Sequence, residues 1–144
     1  AQDAMANGAS EIDLVVNLGW VKDGRWSDVL AELRAVKEAC GTHILKVIVE
    51  TCQLTQEEKV KLCELVTESG ADFIKTSTGF SSGGATAEDV AVNFDKNGLG
   101  AIVNSSRGIL CAYKKDKYQG MTYFAAARAA ALDMKEDLTA HIGL

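Results

Sequence analysis

Four times along its 144 residues, this chain follows a short aliphatic run with a helical pattern, and that alternation restricts the fold more than any other feature. Parallel strands need a crossover of a dozen or more residues, usually a helix, so consecutive β-α units imply a parallel sheet with right-handed crossovers. The aliphatic runs cover residues 11–17, 44–50, 72–78 and 100–105. Between the first two, Val29, Leu33, Val36 and Cys40 recur at helical spacing over residues 26–40. Thr55 with Glu58 three residues later is a capping box, opening a helix that carries Leu62, Leu65 and Val66 and stops at Gly70. Thr86 and Asp89 repeat the signal for a helix ending at Gly98, and the alanine-rich residues 123–138 form the last helix.

Side-chain alternation decides which parallel architecture this is. A doubly wound sheet is covered on both faces and its strands are apolar throughout. Here one face is aliphatic: Ile12, Leu14 and Val16, then Leu45, Val47 and Val49. The other carries Asp13 and Asn17, then Lys46 and Glu50, then Lys75. A polar inner face under a helical outer layer suits the lumen of a (βα)8 TIM barrel, and a flavodoxin-like open parallel sheet is the alternative. A complete barrel takes about 200 residues at least, so four βα units make half a barrel over residues 1–144. Such a half leaves a charged concave face and two strand edges, which invite pairing with another chain. A homodimer or higher oligomer is the expected state.

Composition narrows the function classes. A hydrophobic fraction of 47% supports a core. Fifteen Lys and Arg against 20 Asp and Glu leave a net charge of −5, the wrong sign for a nucleic-acid groove. There is no apolar run of the ~20 residues that span a bilayer, and no secretory leader, so no membrane partner and a cytoplasmic location are expected. Cys40, Cys52, Cys63 and Cys111 are widely separated, as are His43 and His141. That spacing implies reduced, mostly buried thiols, no metal and no cofactor.

The segments GASEIDLVVNLG, LKVIVETCQLTQEEKVKLCELV and ESGADFIKTSTGFSSGGATAEDV closely resemble deoxyribose-phosphate aldolase over residues 1 to about 90. By that resemblance Lys75, in DFIKTSTG, is the Schiff-base lysine. Asp13 matches the family's proton-relay aspartate, and Lys46 the assisting lysine. The face analysis had already placed these three residues together. Their chemistry is coherent: an amine attacks an aldehyde only when neutral, and desolvation with a neighbouring cation lowers a lysine's pKa from about 10.4. Without the resemblance, an Asp–Lys ion pair joining neighbouring strands is an equal account of them.

From about residue 91 to 140, NFDKNGLGAIVNSSRGILCAYKK and AAARAAALDMKEDL resemble the C-terminal end of bacterial orotidine 5'-phosphate decarboxylase. That resemblance implies a phosphate grip at Ser105, Ser106, Arg107 and Gly108, arginine offering a bidentate fork to phosphate oxygens. The Ser81–Gly84 loop, with Gly83 and Gly84, is a second place where backbone amides can approach an anion. The two resemblances set a fragment junction near residues 83–93. Together with the lack of an initiator methionine before residue 1, they lead to the expectation of a chimera, built or selected from two barrel fragments.

Three functions follow. The first is a self-associating chimeric half-barrel with little or no catalysis. The second is a class I aldolase, a lyase acting on 2-deoxyribose 5-phosphate through an imine on Lys75. The third is a module that binds a small phosphorylated sugar or inorganic phosphate.

Overall fold

Three of the four aliphatic runs become strands: β1 (Glu11–Val15), β2 (Ile44–Ile48) and β3 (Phe73–Lys75). They pair in parallel in the order β1-β2-β3. Asp13 stands opposite Lys46, Lys46 opposite Phe73, and Val15 and Lys75 flank Ile48 from either side. The computed structural model describes residues 1–95, 97 and 99–142. They divide into two compact units, Ala1–Ala85 and Thr86–Leu144.

The first unit also holds α1 (Gln2–Ala6), α2 (Leu18–Lys22), α3 (Trp26–Cys40) and α4 (Gln56–Ser69). Asn17 caps α2, its side chain accepting from the Trp20 N–H at 3.1 Å. It therefore serves a helix start and not the charged face the alternation gave it. The capping box of α4 forms as expected, Thr55 accepting from the Glu58 N–H and Glu58 from the Thr55 N–H. Gly70 closes α4 at φ 79°, a conformation that strains any residue with a Cβ.

Val29, Leu33 and Cys40 of α3 and Leu62, Leu65 and Val66 of α4 bury themselves against Leu45, Val47 and Val49. Both long helices thus cover the same face of the sheet. A flavodoxin-like sheet would put helices on both faces, so that alternative is not what this unit shows. Strands in sequence order with helices on one side fit part of a (βα)8 barrel.

The second unit contains α5 (Ala87–Ala91), α6 (Arg107–Leu110) and α7 (Tyr123–Ile142). Its small core joins Ala112 and Tyr118 to Ala126 and Ala130 of α7. The Tyr118 hydroxyl donates to Asp133 Oδ2 at 2.5 Å, and that bond keeps the phenol protonated to higher pH than usual. The Thr86–Asp89 capping box forms, yet the helix it opens runs only from Ala87 to Ala91. Gly98, expected to end that helix, lies outside the described residues.

The fourth strand is corrected. Residues 100–105 carry no strand, and Ile102 is 97% exposed. Just ahead of the run, the Asp95 N–H donates to Leu99 O at 2.6 Å and the Asp95 carboxylate takes the N–H groups of Asn97 and Leu99. Gly100 sits at φ 112°, where a Cβ would come within 2.3 Å of Asn93 O. An aliphatic run marks a preference for burial, but a strand also needs a ladder partner, and none is present among the described residues. Four βα units therefore reduce to three strands. The cysteines also differ from expectation, since Cys40 is buried, Cys63 is exposed and Cys52 and Cys111 are half-buried.

Candidate functional site

The sheet face away from the long helices gathers Glu11, Asp13 and Val15 from β1, Ile44, Lys46 and the buried Ile48 from β2, and Phe73 and Lys75 from β3. Lys75 Nζ donates to Asp13 Oδ2 at 2.5 Å. Their strands are not neighbours. With β2 between them, a distance of about 10 Å has to be bridged, which only the long lysine stem can do. Lys46 lies between, 3.9 Å from Asp13 Oδ1, and its ammonium donates to Glu11. The hydrogen bond and charge of Glu11, with Asp13 adding to them, raise the Lys46 pKa above the usual lysine value. Lys46 is therefore a fixed cation beside the Asp13–Lys75 pair.

Both lysines expected to act with Asp13 are within ion-pairing distance of its carboxylate. Stability alone is a weak account of that arrangement. The Lys75 and Asp13 side chains are 43% and 40% exposed, and exposed pairs contribute only about 0–1 kcal/mol. The desolvation expected around Lys75 is likewise not supplied by the described residues. Glu11, which the sequence argument missed, sets the charge of Lys46. Its signal was available, because Glu11 and Asp13 are two apart on one strand and must share a face.

Glu50 was placed on this charged face, and that placement is corrected. It sits at φ 57° just beyond β2 and is 4% exposed. The Thr78 hydroxyl donates to Glu50 Oε2 at 2.5 Å, and the Thr78 N–H stands 3.3 Å from both carboxylate oxygens. Strand alternation fails there because the left-handed residue turns the chain.

Gly83 and Gly84 lie in the loop after β3. A Cβ on Gly83 would meet Cys52 Cβ at 3.3 Å, whereas Gly84 faces open space. Gln53 Nε2 donates to Ser81 Oγ at 2.9 Å in the same loop. Ser105, Ser106, Arg107 and Gly108 belong to the second unit, at the start of α6. A Cβ on Gly108 would fall 2.4 Å from Ser105 Oγ, a hydroxyl that can rotate away. Ser105 and Gly108 line an open cleft of about 500 Å³ in that unit, with Lys115 and Lys117 balanced by Asp133 and Asp137. Lys117 is paired to Asp133 at 2.6 Å, so the cleft is not a concentrated positive site.

Comparison with known proteins separates the readings. The profile of the DeoC/LacD family of aldolases matches residues 1–131. A deoxyribose-phosphate aldolase of Streptococcus agalactiae serotype Ia is 56% identical over 117 residues, 81% of this chain and 52% of that protein. Its counterpart in Streptococcus pyogenes serotype M28 is 59% identical over 108 residues, 75% of this chain and 48% of that protein. The chain thus spans about half the length of these curated relatives. A solved structure from Coccidioides immitis assigned as a deoxyribose-phosphate aldolase superposes with a TM-score of 0.61 at 48% identity, covering 63% of this chain and 36% of that one. The aldolase QR15 gives a TM-score of 0.61 at 43% identity, over 63% of this chain and 41% of its own. One family profile crosses the expected junction at 83–93 and continues to residue 131. It therefore accounts for most of the stretch compared above with orotidine 5'-phosphate decarboxylase, and a chimera is not supported. With an aldolase profile over nearly its whole length and an aspartate and two lysines gathered on one sheet face, the chain belongs to the DeoC/LacD aldolase family.

Proposed function

We propose that this chain carries the imine-forming face of a class I aldolase that cleaves 2-deoxyribose 5-phosphate. The observation that carries the reading is the 2.5 Å contact between Lys75 Nζ and Asp13 Oδ2, with Lys46 beside it. In the proposed reaction Asp13 accepts the Lys75 ammonium proton, and the neutral amine attacks the aldehyde carbon of the open-chain sugar. Loss of water leaves an imine. Asp13, a carboxylate again once it has protonated the departing hydroxyl, takes the proton of the substrate's 3-hydroxyl directly or through water, which breaks the C2–C3 bond and releases glyceraldehyde 3-phosphate. The bond's electron pair moves into the imine as an enamine, which Asp13 reprotonates at C2, directly or through water. Water then releases acetaldehyde and restores Lys75.

The Ser81–Gly84 loop supports a place for the phosphate, since the open space at Gly84 lets an anion reach the backbone. The phosphate role of Ser105, Ser106, Arg107 and Gly108 is a separate proposal, and an unchanged Tm in millimolar phosphate would remove it. The aldolase reading is tested by incubating 2-deoxyribose 5-phosphate with the protein and measuring acetaldehyde release. Release that is abolished by Lys75→Met supports the proposal. No release above buffer, or equal release by the variant, contradicts it.

A further inference from the structure

The segment that follows Lys75 is held by a device the imine chemistry does not use. β2 ends at Ile48, and the next residues keep pairing toward β3: the Val49 N–H donates to Lys75 O at 2.9 Å and the Thr51 N–H to Thr76 O at 2.8 Å. In a regular parallel ladder the second of these bonds would reach Ser77, one residue later. The pairing is therefore bulged at Glu50, the one non-glycine residue with positive φ among those described. Local strain of this kind persists where surrounding contacts over-determine it, and it concentrates at functional sites.

The Glu50 side chain supplies those contacts. It is buried, and its carboxylate takes both the N–H and the hydroxyl of Thr78. The Thr78 hydroxyl in turn accepts from the Phe80 N–H at 3.1 Å. Three residues further along the same turn, Gln53 holds Ser81. The bonds that residues 49–53 make to the far segment land on Lys75, Thr76, Thr78, Ser81 and Ser82. A carboxylate suits the position, since it accepts from two donors of one residue without presenting a donor of its own.

We infer that Glu50 is a positioning residue for Lys75: by gripping Thr78 across the end of the sheet, it fixes the backbone from which the reacting amine projects. The inference rests on the imine reading. A displacement of about 1 Å at a reacting group can cost about a hundredfold in rate, so a loosened grip should appear in the rate of imine formation before it appears in stability.

The test is trapping with acetaldehyde and cyanoborohydride, which delivers hydride to the imine carbon and leaves an N-ethyl group on the lysine. It is followed by peptide mass mapping over a range of aldehyde concentrations. Glu50→Gln and Thr78→Val are expected to slow labelling of Lys75 at saturating aldehyde by about tenfold or more, with half-saturation changed by less than about threefold. Thr78→Ser, which restores the hydroxyl, is expected to return the rate to near that of the unaltered protein. A purely structural role would lower the labelled fraction along with the folded fraction and leave the rate constant of the folded molecules unchanged. Folded Thr78→Val and Glu50→Gln proteins that label Lys75 at the unaltered rate overturn the role of Glu50 alone. Absence of selective labelling in the unaltered protein overturns the imine reading, and this inference with it.

Discussion

At the scale of single residues, the site is a chain of charges: Glu11, Lys46, Asp13, Lys75. Asp13 is the member placed to move protons, so Asp13→Asn should slow deuterium exchange into the methyl group of acetaldehyde by about a hundredfold or more. NMR in D2O measures this directly, and exchange at the unaltered rate would remove Asp13 from the mechanism. Glu11 acts on Lys46 in the opposite pH range. Its hydrogen bond raises the lysine's folded pKa, so the stabilisation is fully present below the unfolded value of about 10.4 and is lost as pH rises through the folded one. Glu11→Gln should therefore shift the Lys46 titration, followed at Cε by NMR, to lower pH. That Asp13, Lys46 and Lys75 share one face was legible from period-two alternation; their roles were not, because an Asp–Lys ion pair joining strands gives the same pattern. Glu50 was misplaced because alternation assumes an unbroken strand, and no pattern of residue types announces a glutamate at positive φ.

At the scale of elements, helix starts were the most legible feature. Both Thr-x-x-acid signals form capping boxes, at Thr55 and Thr86, because capping is local chemistry that four consecutive residues contain in full. Strand content was less legible. Residues 100–105 look as aliphatic as a strand, but pairing depends on a neighbour that local sequence does not specify. Leu33 in α3 is fully buried against the sheet, and Leu33→Ala should cost about 2–5 kcal/mol in urea unfolding. Asp72 joins three elements: its carboxylate takes Lys37 Nζ of α3 at 2.6 Å and the Leu45 N–H of β2 at 2.8 Å, just ahead of β3. Those bonds, led by Lys37, hold its carboxyl below the usual carboxylate range. A depressed folded pKa contributes stability that is present above the unfolded value of about 4 and lost as pH falls through the folded value. Asp72→Asn should therefore be destabilised at pH 7 and converge with the unaltered protein in acid. A constant difference across that range would contradict the assignment.

At the scale of the whole molecule, the fold and the family point to one requirement. A class I lysine works best in a desolvated pocket, yet Lys75 keeps 43% of its side chain exposed on an uncovered sheet face. Val15 and Phe73, on the same face, are 43% and 56% exposed. We propose that a second copy of this chain covers that face, a role the remaining βα units play in a full barrel. Light scattering should then give a mass that rises with concentration toward at least twice 15.3 kDa, and a monomer at every concentration would contradict self-association. That the sheet is part of a barrel was legible from the count of βα units against the length of a barrel. What the cover does to the lysine was not, because sequence patterns locate charges without measuring their access to water. Imine formation at Lys75 is read by intact mass with peptide mapping after acetaldehyde and cyanoborohydride treatment of the unaltered protein. A single N-ethyl adduct on Lys75, formed well ahead of any other lysine, is the predicted result; slow labelling scattered over surface lysines would contradict the account.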